Sequence, residues 1–454
     1  MSHFPPRFSI LCLVVGLLSQ VFGQTPASKR APIDSLNPGK SIGDAVQEKP
    51  GTVQTLRIPK ELIPPAPALT PEEALKTFEV APGFRIELVV AEPLIEDPVD
   101  MQFDADGRLW VLEMRGYLND IDGTTETEPT GRIVILRDTD GDGRMDQRTV
   151  FAEKMVMPRA LCLVADGALV GVPPHLFFMR DTDGDGVADK REDVLASFGL
   201  PTTSNMASIA YHPARGPNSP TWSMDNWINF ASYTTRLRYR TGKFERGATS
   251  LKGQWGLTQD NTGRMFFNTN HDYLQTDLVP GHYLLRNANQ TRPYGTSITL
   301  GANQEVWPIR VNPGTNRAYR EEETRADGRL RVYTAACGPM IYRGSLFPAE
   351  YRGNAFICEP AGNLIRRSVL VDTAGQLTAI NAYDQREFIA STDERFRPVK
   401  LKSGPDGALY VVDFYRGIIE HPLTYSSYMI QQIRDRDLDK HVHLGRIYRI
   451  APEG

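Results

Sequence analysis

A strand–turn–strand unit recurs six times along this chain, and that repeat constrains the fold more than any other feature. Each unit is an apolar strand, a turn with Asp or Gly, and a second strand rich in aromatic and β-branched residues. It reads DPVDMQFDADGRLWVLEM over 97–114, MPRALCLVADGALVGVPP over 157–174 and, more loosely, SNMASIAYHP to DNWINFAS over 204–232. GQWGLTQDNTGRMFFNTN (253–270), GPMIYRGSLFP to GNAFICEP (338–360) and RPVKLKSGPDGALYVVDF (397–414) complete the set. A lone strand pair cannot bury its own faces, so neighbouring copies must stack. A ring of blades does this and leaves only short edges. The expected fold is all-β, a six-bladed β-propeller with a short N-terminal helix and linker. Two separate β-sandwiches are the alternative, which the recurrence disfavours. Residues 84–92 read as a strand before the first unit and 445–450 as one after the last. The two ends are thus expected to complete one blade together.

The 454-residue chain opens with Arg7, an apolar run over 8–18 and the small-residue spacing Val21-Phe22-Gly23. The run is too short to span a bilayer well. Residues 1–23 are expected to be a cleaved signal peptide that delivers a periplasmic or secreted protein. Residues 24–69 are polar and Pro-rich, which reads as a linker, and 70–454 as the propeller domain. Thr70-Pro71-Glu72-Glu73 has the spacing of a capped helix start. A formal charge of −4 supplies no basic surplus for gripping nucleic acid. Beyond the leader, Cys162, Cys337 and Cys358 remain, with no CxxC or CxxCH. A Cys337–Cys358 bridge is permitted by an oxidising compartment and is not required by the sequence.

Two loops carry metal-binding chemistry: DTDGDGRMD over 138–146 and DTDGDGVAD over 181–189. Calcium takes six to eight oxygen ligands. Asp138, Asp140 and Asp142, or Asp181, Asp183 and Asp185, supply carboxylates. The carbonyls of Arg144 or Val187 add an oxygen, and Asp146 or Asp189 closes the shell. The second loop also has Glu192 at the twelfth position of the EF-hand expression. Strand-like segments precede both loops, so a strand–loop–strand hairpin is expected, not an EF-hand. In the blade register both loops join third and fourth strands at the outer edge, where calcium would be structural.

Starts of first strands and ends of second strands converge on one tunnel mouth. The starts supply Glu96, Asp97, Arg159, Asn205, Gln254, Cys337, Arg397 and Lys400. The ends supply Glu113, Arg115, His175, Asn270, His271, Asp272, Glu359, Asp413 and Arg416. His271 beside Asp272, with Asp413, is a candidate acid–base group. Arg115, Arg159, Arg397, Lys400 and Arg416 are candidates to clamp an anionic ligand. No HExxH, GxSxG, Walker loop or post-strand GxGxxG occurs, which argues against zinc proteolysis, α/β-hydrolase chemistry and nucleotide binding.

DPVDMQFDADGRLWVLEMRGY, ILRDTDGDGRMDQRTVF, FPAEYRGNAFICEPAGNLIRR and RPVKLKSGPDGALYVVDFYRGIIEH resemble the membrane-bound dehydrogenase domain of planctomycete and verrucomicrobial proteins, over roughly residues 75 to 454. That family is similar to the quinone-dependent glucose/sorbosone dehydrogenase propellers. The resemblance implies oxidation of sugar or alcohol groups, calcium, and pyrroloquinoline quinone as the redox carrier. The GHRNPQG-like motif that carries the catalytic His in those enzymes is absent here. The resemblance also implies an external cytochrome or other electron acceptor. The alternatives are a non-catalytic propeller that binds glycan or protein, and a metal-dependent lactonase in which Glu96, Asn205 and another acid converge.

Overall fold

The computed structural model describes residues 54–199, 216–287, 289 and 294–453. The expected signal peptide, the linker up to residue 53 and Asn205 lie outside the described residues. Six antiparallel sheets form, each running outward from one innermost strand. Blade 1 comprises Pro98–Phe103, Leu109–Glu113, Gly131–Arg137 and Gln147–Met155. Blade 2 comprises Ala160–Val164, Gly167–Val172, His175–Arg180 and Lys190–Leu195, and blade 3 Asn218–Trp222, Ile228–Ala231, Thr235–Arg240 and Lys243–Ala248. Blade 4 has short strands at Leu257–Gln259, Met265–Phe267, Gln275–Thr276 and Ile298–Thr299. Blade 5 begins with Cys337–Ile341, Ala355–Glu359, Leu364–Thr373 and Gln376–Asn381, and gains Ile389–Ser391 and the N-terminal Phe78–Val80.

Blade 6 closes the ring. Its inner strands are Pro398–Ser403 and Leu409–Asp413, its third is the C-terminal Arg446–Pro452, and its outermost is the N-terminal Phe84–Ala91. Phe84 pairs with Pro452 and Ala91 with Arg446. The two ends of the domain therefore share one sheet, as the repeat register predicts. The six innermost strands touch one another in cyclic order, blade 6 against blade 1 included. The fold is a six-bladed β-propeller.

The second strands LWVLE, AFICE and LYVVD are buried at every position, because a neighbouring blade covers each face. That is why they read as unbroken apolar runs and not as alternating ones. Each seam between blades holds a hydrophobic cluster. Val99, Trp110 and Leu112 meet Leu161 and Val170 between blades 1 and 2. Val89, Met101 and Val111 meet Val412 and Ile447 between blades 6 and 1. Among the described residues, the seam between blades 3 and 4 is the thinnest, with Ala231, Leu257, Met265 and Phe267.

Blade 3 departs from the sequence reading. Its innermost described strand is Asn218–Trp222, a polar segment, whereas an apolar strand was expected over 204–213, all of which lies outside the described residues. Asn218 on this strand satisfies backbone groups of the next blade. Asn218 Nδ2 donates to the Gln254 carbonyl (2.7 Å), and Asn218 Oδ1 accepts from Gly256 N (3.2 Å).

Before the ring, Thr70 caps a helix at Pro71–Leu75 with a complete capping box, as its spacing predicts. The described part of the linker is docked against the propeller. Gln54 Oε1 accepts from Ser427 Oγ (2.7 Å), and the Ala66 carbonyl accepts from Arg395 Nε (2.9 Å). Among the described residues, no helix is long and apolar enough to cross a membrane. Cys337 and Cys358 face each other across the two inner strands of blade 5 as buried free thiols.

Candidate functional site

The charged residues at the strand ends do meet, but they engage one another. Arg416 at the end of blade 6 donates to Asp97 at the start of blade 1 through Nη2 (2.7 Å) and Nε (3.0 Å), and to the Leu118 carbonyl and Asn119. His443 Nδ1 occupies the other Asp97 oxygen at 2.8 Å. Arg115 pairs with Glu96 at 2.6 Å, and Arg132 lies against both Glu96 and Glu113. Arg397 gives its guanidinium to the carbonyls of Arg416, Gly417 and Pro360. Arg159 is buried within reach of the Met157 carbonyl, 3.4 Å from Nε. A buried guanidinium must be paired or it destabilises the fold. These four arginines brace blades and loops, and none of them lines the mouth cavity described below.

Lys400 has a different task. Its Nζ donates to Ser219 Oγ at 2.5 Å, on the blade opposite in the ring, and lies 3.4 Å from Asp100 Oδ2. This Lys–Asp–Ser layer crosses the tunnel and separates its two mouths. Burial lowers the Lys400 pKa to about 8, against the pull of Asp100.

The candidate acid–base group does not assemble. His271 Nδ1 is 3.3 Å from the Tyr333 carbonyl, whereas the Asp272 carboxylate accepts from the hydroxyls of Thr269 and Thr299 and from Gln275. Asp413 is buried and accepts the amides of Arg397 (2.8 Å) and Tyr415 (2.9 Å), locking the start of its own blade. Burial raises its pKa to about 7.

The mouth itself holds a cavity of about 160 Å³. Tyr117, Trp255 and Phe414 wall it, and Gln254, Asn270 and Glu420 supply its polar groups. Gln254, Asn270 and Cys337 were legible as strand-end residues. Glu420 and His421 were not, because they sit in the long insertion between the second and third strands of blade 6. That insertion folds back over the mouth. Asn316 Nδ2 donates to the Thr424 carbonyl at 2.7 Å, and Ser426 N donates to Asn316 Oδ1 at 2.8 Å. His421 is held at both nitrogens: Nδ1 accepts from Leu423 N (3.2 Å), and Nε2 faces Glu126 at 3.0 Å. The only signal for this pair was its place in the FYRGIIEH segment. Glu420 is half-buried, and its burial raises the carboxyl pKa despite Arg317 and His271 nearby. Trp255 Nε1 is shielded from solvent and has no hydrogen-bond partner among the described residues.

Pyrroloquinoline quinone is a carboxylate-rich tricyclic group. None of the five expected cations lines the mouth cavity, and its volume falls below the roughly 300–1,000 Å³ of typical ligand pockets. The described residues at the mouth do not fit that group.

The aspartate loops lie where the register predicts, between third and fourth strands of blades 1 and 2. Asp138 accepts from Gly141 N (2.7 Å) and Gly143 N (2.9 Å), and Asp181 likewise from Gly184 N (2.7 Å) and Gly186 N (2.8 Å). These bonds contribute to pKa values below the usual carboxylate range for Asp138 and Asp181. Gly143 and Gly186 have φ of 90° and 88°, left-handed values that favour Gly. Carboxylate oxygens of Asp138, Asp140 and Asp146 lie within 4.8 Å of one another, as do those of Asp181, Asp183 and Asp185. The donor set suits calcium. Asp142 and Asp189 stand outside these two groups. Asp189 accepts instead from Thr182, and Asp142 from Arg144 N. Glu192 sits in the fourth strand of blade 2, outside the second group, and is paired with Arg180 and Lys190.

A family model described as a domain of unknown function, DUF7133, matches residues 70–454. The chain belongs to the DUF7133 family. That description assigns no activity, so the membrane-bound dehydrogenase family named from the motifs stays a resemblance. No curated protein matches the chain in sequence. Among solved structures, this chain is similar to the calcium structure of a Trichoderma reesei carbohydrate-active enzyme of family AA12. That match is at 12% identity, covers 83% of this chain and 97% of that one, and has a TM-score of 0.46. The holo pyranose dehydrogenase PQQ domain of Coprinopsis cinerea matches at 12% identity, 82% and 97% coverage and a TM-score of 0.44. A glucose dehydrogenase matches at 14% identity, 81% and 99% coverage and the same score. The six sheets define the architecture of this chain independently of these distant likenesses.

Proposed function

We propose that this chain is an exported, calcium-stabilised propeller that binds a sugar or alcohol ligand at the roofed mouth, with Glu420 exchanging a proton with a ligand hydroxyl. The observation that carries the reading is Glu420 itself, a carboxyl with a raised pKa in a cavity walled by aromatic rings. Such rings suit the C–H faces of a hydroxylated ring, and Gln254 and Asn270 offer amide donors and acceptors. Trp255 Nε1 adds a shielded donor. A carboxyl poised above its ordinary range is suited to take a hydroxyl proton. Oxidation of a sugar or alcohol would use such a base and would pass electrons to an acceptor outside the chain. The motif resemblance supports that chemistry.

Binding without turnover is the second reading, favoured by a cavity of only about 160 Å³. The lactonase alternative has less support, because Glu96 is held by Arg115 and Arg132. Export rests on the N-terminal apolar run and its small-residue spacing, and calcium on the two loops. The test is a sugar panel followed by thermal shift and by dye reduction, with and without added quinone. Trp255→Ala is expected to weaken sugar binding at least ~10-fold, about 1.4 kcal/mol. Glu420→Gln is expected to abolish dye reduction and to leave binding within a few-fold. Binding without dye reduction supports the second reading, and a panel that produces no shift in the intact protein rejects both.

A further inference from the structure

A second cavity, of about 530 Å³, opens at the opposite end of the tunnel, where the innermost strands finish. Its size falls within the range of organic ligand pockets. Lys400 forms part of its floor, so the Lys–Asp–Ser layer divides it from the roofed mouth. Thr221, Gln259, Arg343, Lys402 and Asp406 from blades 3 to 6 also line it.

The charges in this cavity do not cancel. Arg343 is exposed and has no carboxylate partner among the described residues. The carboxylate closest to Lys402 is Asp100, 3.9 Å away and already 3.4 Å from Lys400. Asp406 belongs to Arg449, whose Nε lies 2.6 Å from it. One acceptor is also left over. Gln259 Nε2 donates to the Trp222 carbonyl at 2.6 Å, while its Oε1 is shielded and has no partner among the described residues. A shielded acceptor is costly unless a donor reaches it. Surplus cations beside such an acceptor match a molecule with both an anionic group and hydroxyls.

We propose that this second mouth binds a hydroxylated organic anion. Its carboxylate or phosphate would sit against Arg343 and Lys402, and a hydroxyl would donate to Gln259 Oε1. An Arg fork suits either oxyanion, so sugar acids and sugar phosphates are both candidate sources.

Calorimetric titration of the full chain with D-gluconate, glucose 6-phosphate, inorganic phosphate and glucose tests this. At least one of the two organic anions is expected to bind, and the tighter one identifies the oxyanion. The double variant Arg343→Ala, Lys402→Ala is expected to weaken that binding at least ~10-fold. Added salt is expected to weaken it as well, since Arg343 is exposed. Glu420→Gln, at the other mouth, is expected to leave it unchanged. The proposal is overturned if neither organic anion binds, if glucose binds as tightly, or if the double variant binds as well as the parent. Binding of inorganic phosphate alone, an adventitious ion only, overturns it too.

Discussion

Asp413 shows how a strand-end residue can look catalytic and act as a lock. It ends an apolar strand at a convergent mouth, which is where a site would be sought. Its Oδ1 accepts two backbone amides, and its Oδ2 has no partner among the described residues. Glu359 is a related lock in blade 5, where both carboxylate oxygens accept from Ala335 N (3.2 and 3.1 Å), and burial raises its pKa to about 8. Both carboxyls sit above their ordinary values, so the folded state favours their protonated forms. Their contribution is fully present below about pH 4 and is lost as pH rises through about 7 to 8. For Asp413 the ceiling is on the order of 4 kcal/mol, since each pKa unit is worth about 1.4 kcal/mol. Urea midpoints are expected to fall between pH 5 and pH 8, and Asp413→Asn is expected to flatten that fall. A midpoint that rises over this interval, or a variant with the parent slope, contradicts the assignment. The charged residues were legible as a cluster. Their partners were not, because Arg416 meets Asp97 only once the ring has closed.

At the scale of elements, the aspartate hairpins were the most readable part of the chain. Loop, turn and flanking strands are local, so nine consecutive residues specify them. Two details needed the fold. Glu192 faces Arg180 because both lie on paired strands, where Glu192 stands opposite Phe178 in register. Asp189 and Asp146 both turn toward a threonine hydroxyl, yet only Asp146 joins its cluster. Chelation is expected to lower the melting temperature by a few degrees, because a ligand that binds only the folded state stabilises it. Asp140→Ala combined with Asp183→Ala is expected to remove that sensitivity. A melting curve indifferent to chelator in the parent protein rules out structural calcium at these loops.

At the scale of the whole molecule, the ring is as strong as its seams. Among the described residues, the cluster between blades 3 and 4 has four members, and blade 4 is built from strands of two and three residues. Few apolar contacts mean low local stability. Amides of 257–259 and 265–267 are expected to exchange with solvent well before those of 109–113 and 409–413. Uniform protection across the second strands contradicts this ranking. The thinnest seam lies opposite the seam joining blades 6 and 1, beside which the two chain ends pair. Opening at blades 3 and 4 would therefore leave that pairing intact.

The sequence by itself determined the repeat, the pairing of the chain ends in one blade, the capped helix and the position of both aspartate hairpins. Each depends on local periodicity or on spacing within a few residues. Tertiary structure decided which polar residues are available at the mouths. Strand ends from different blades meet only when the ring closes, and buried charges must then find partners. Arg115, Arg159, Arg397 and Arg416 became braces, while Glu420 entered the roofed mouth on an insertion with no repeat register.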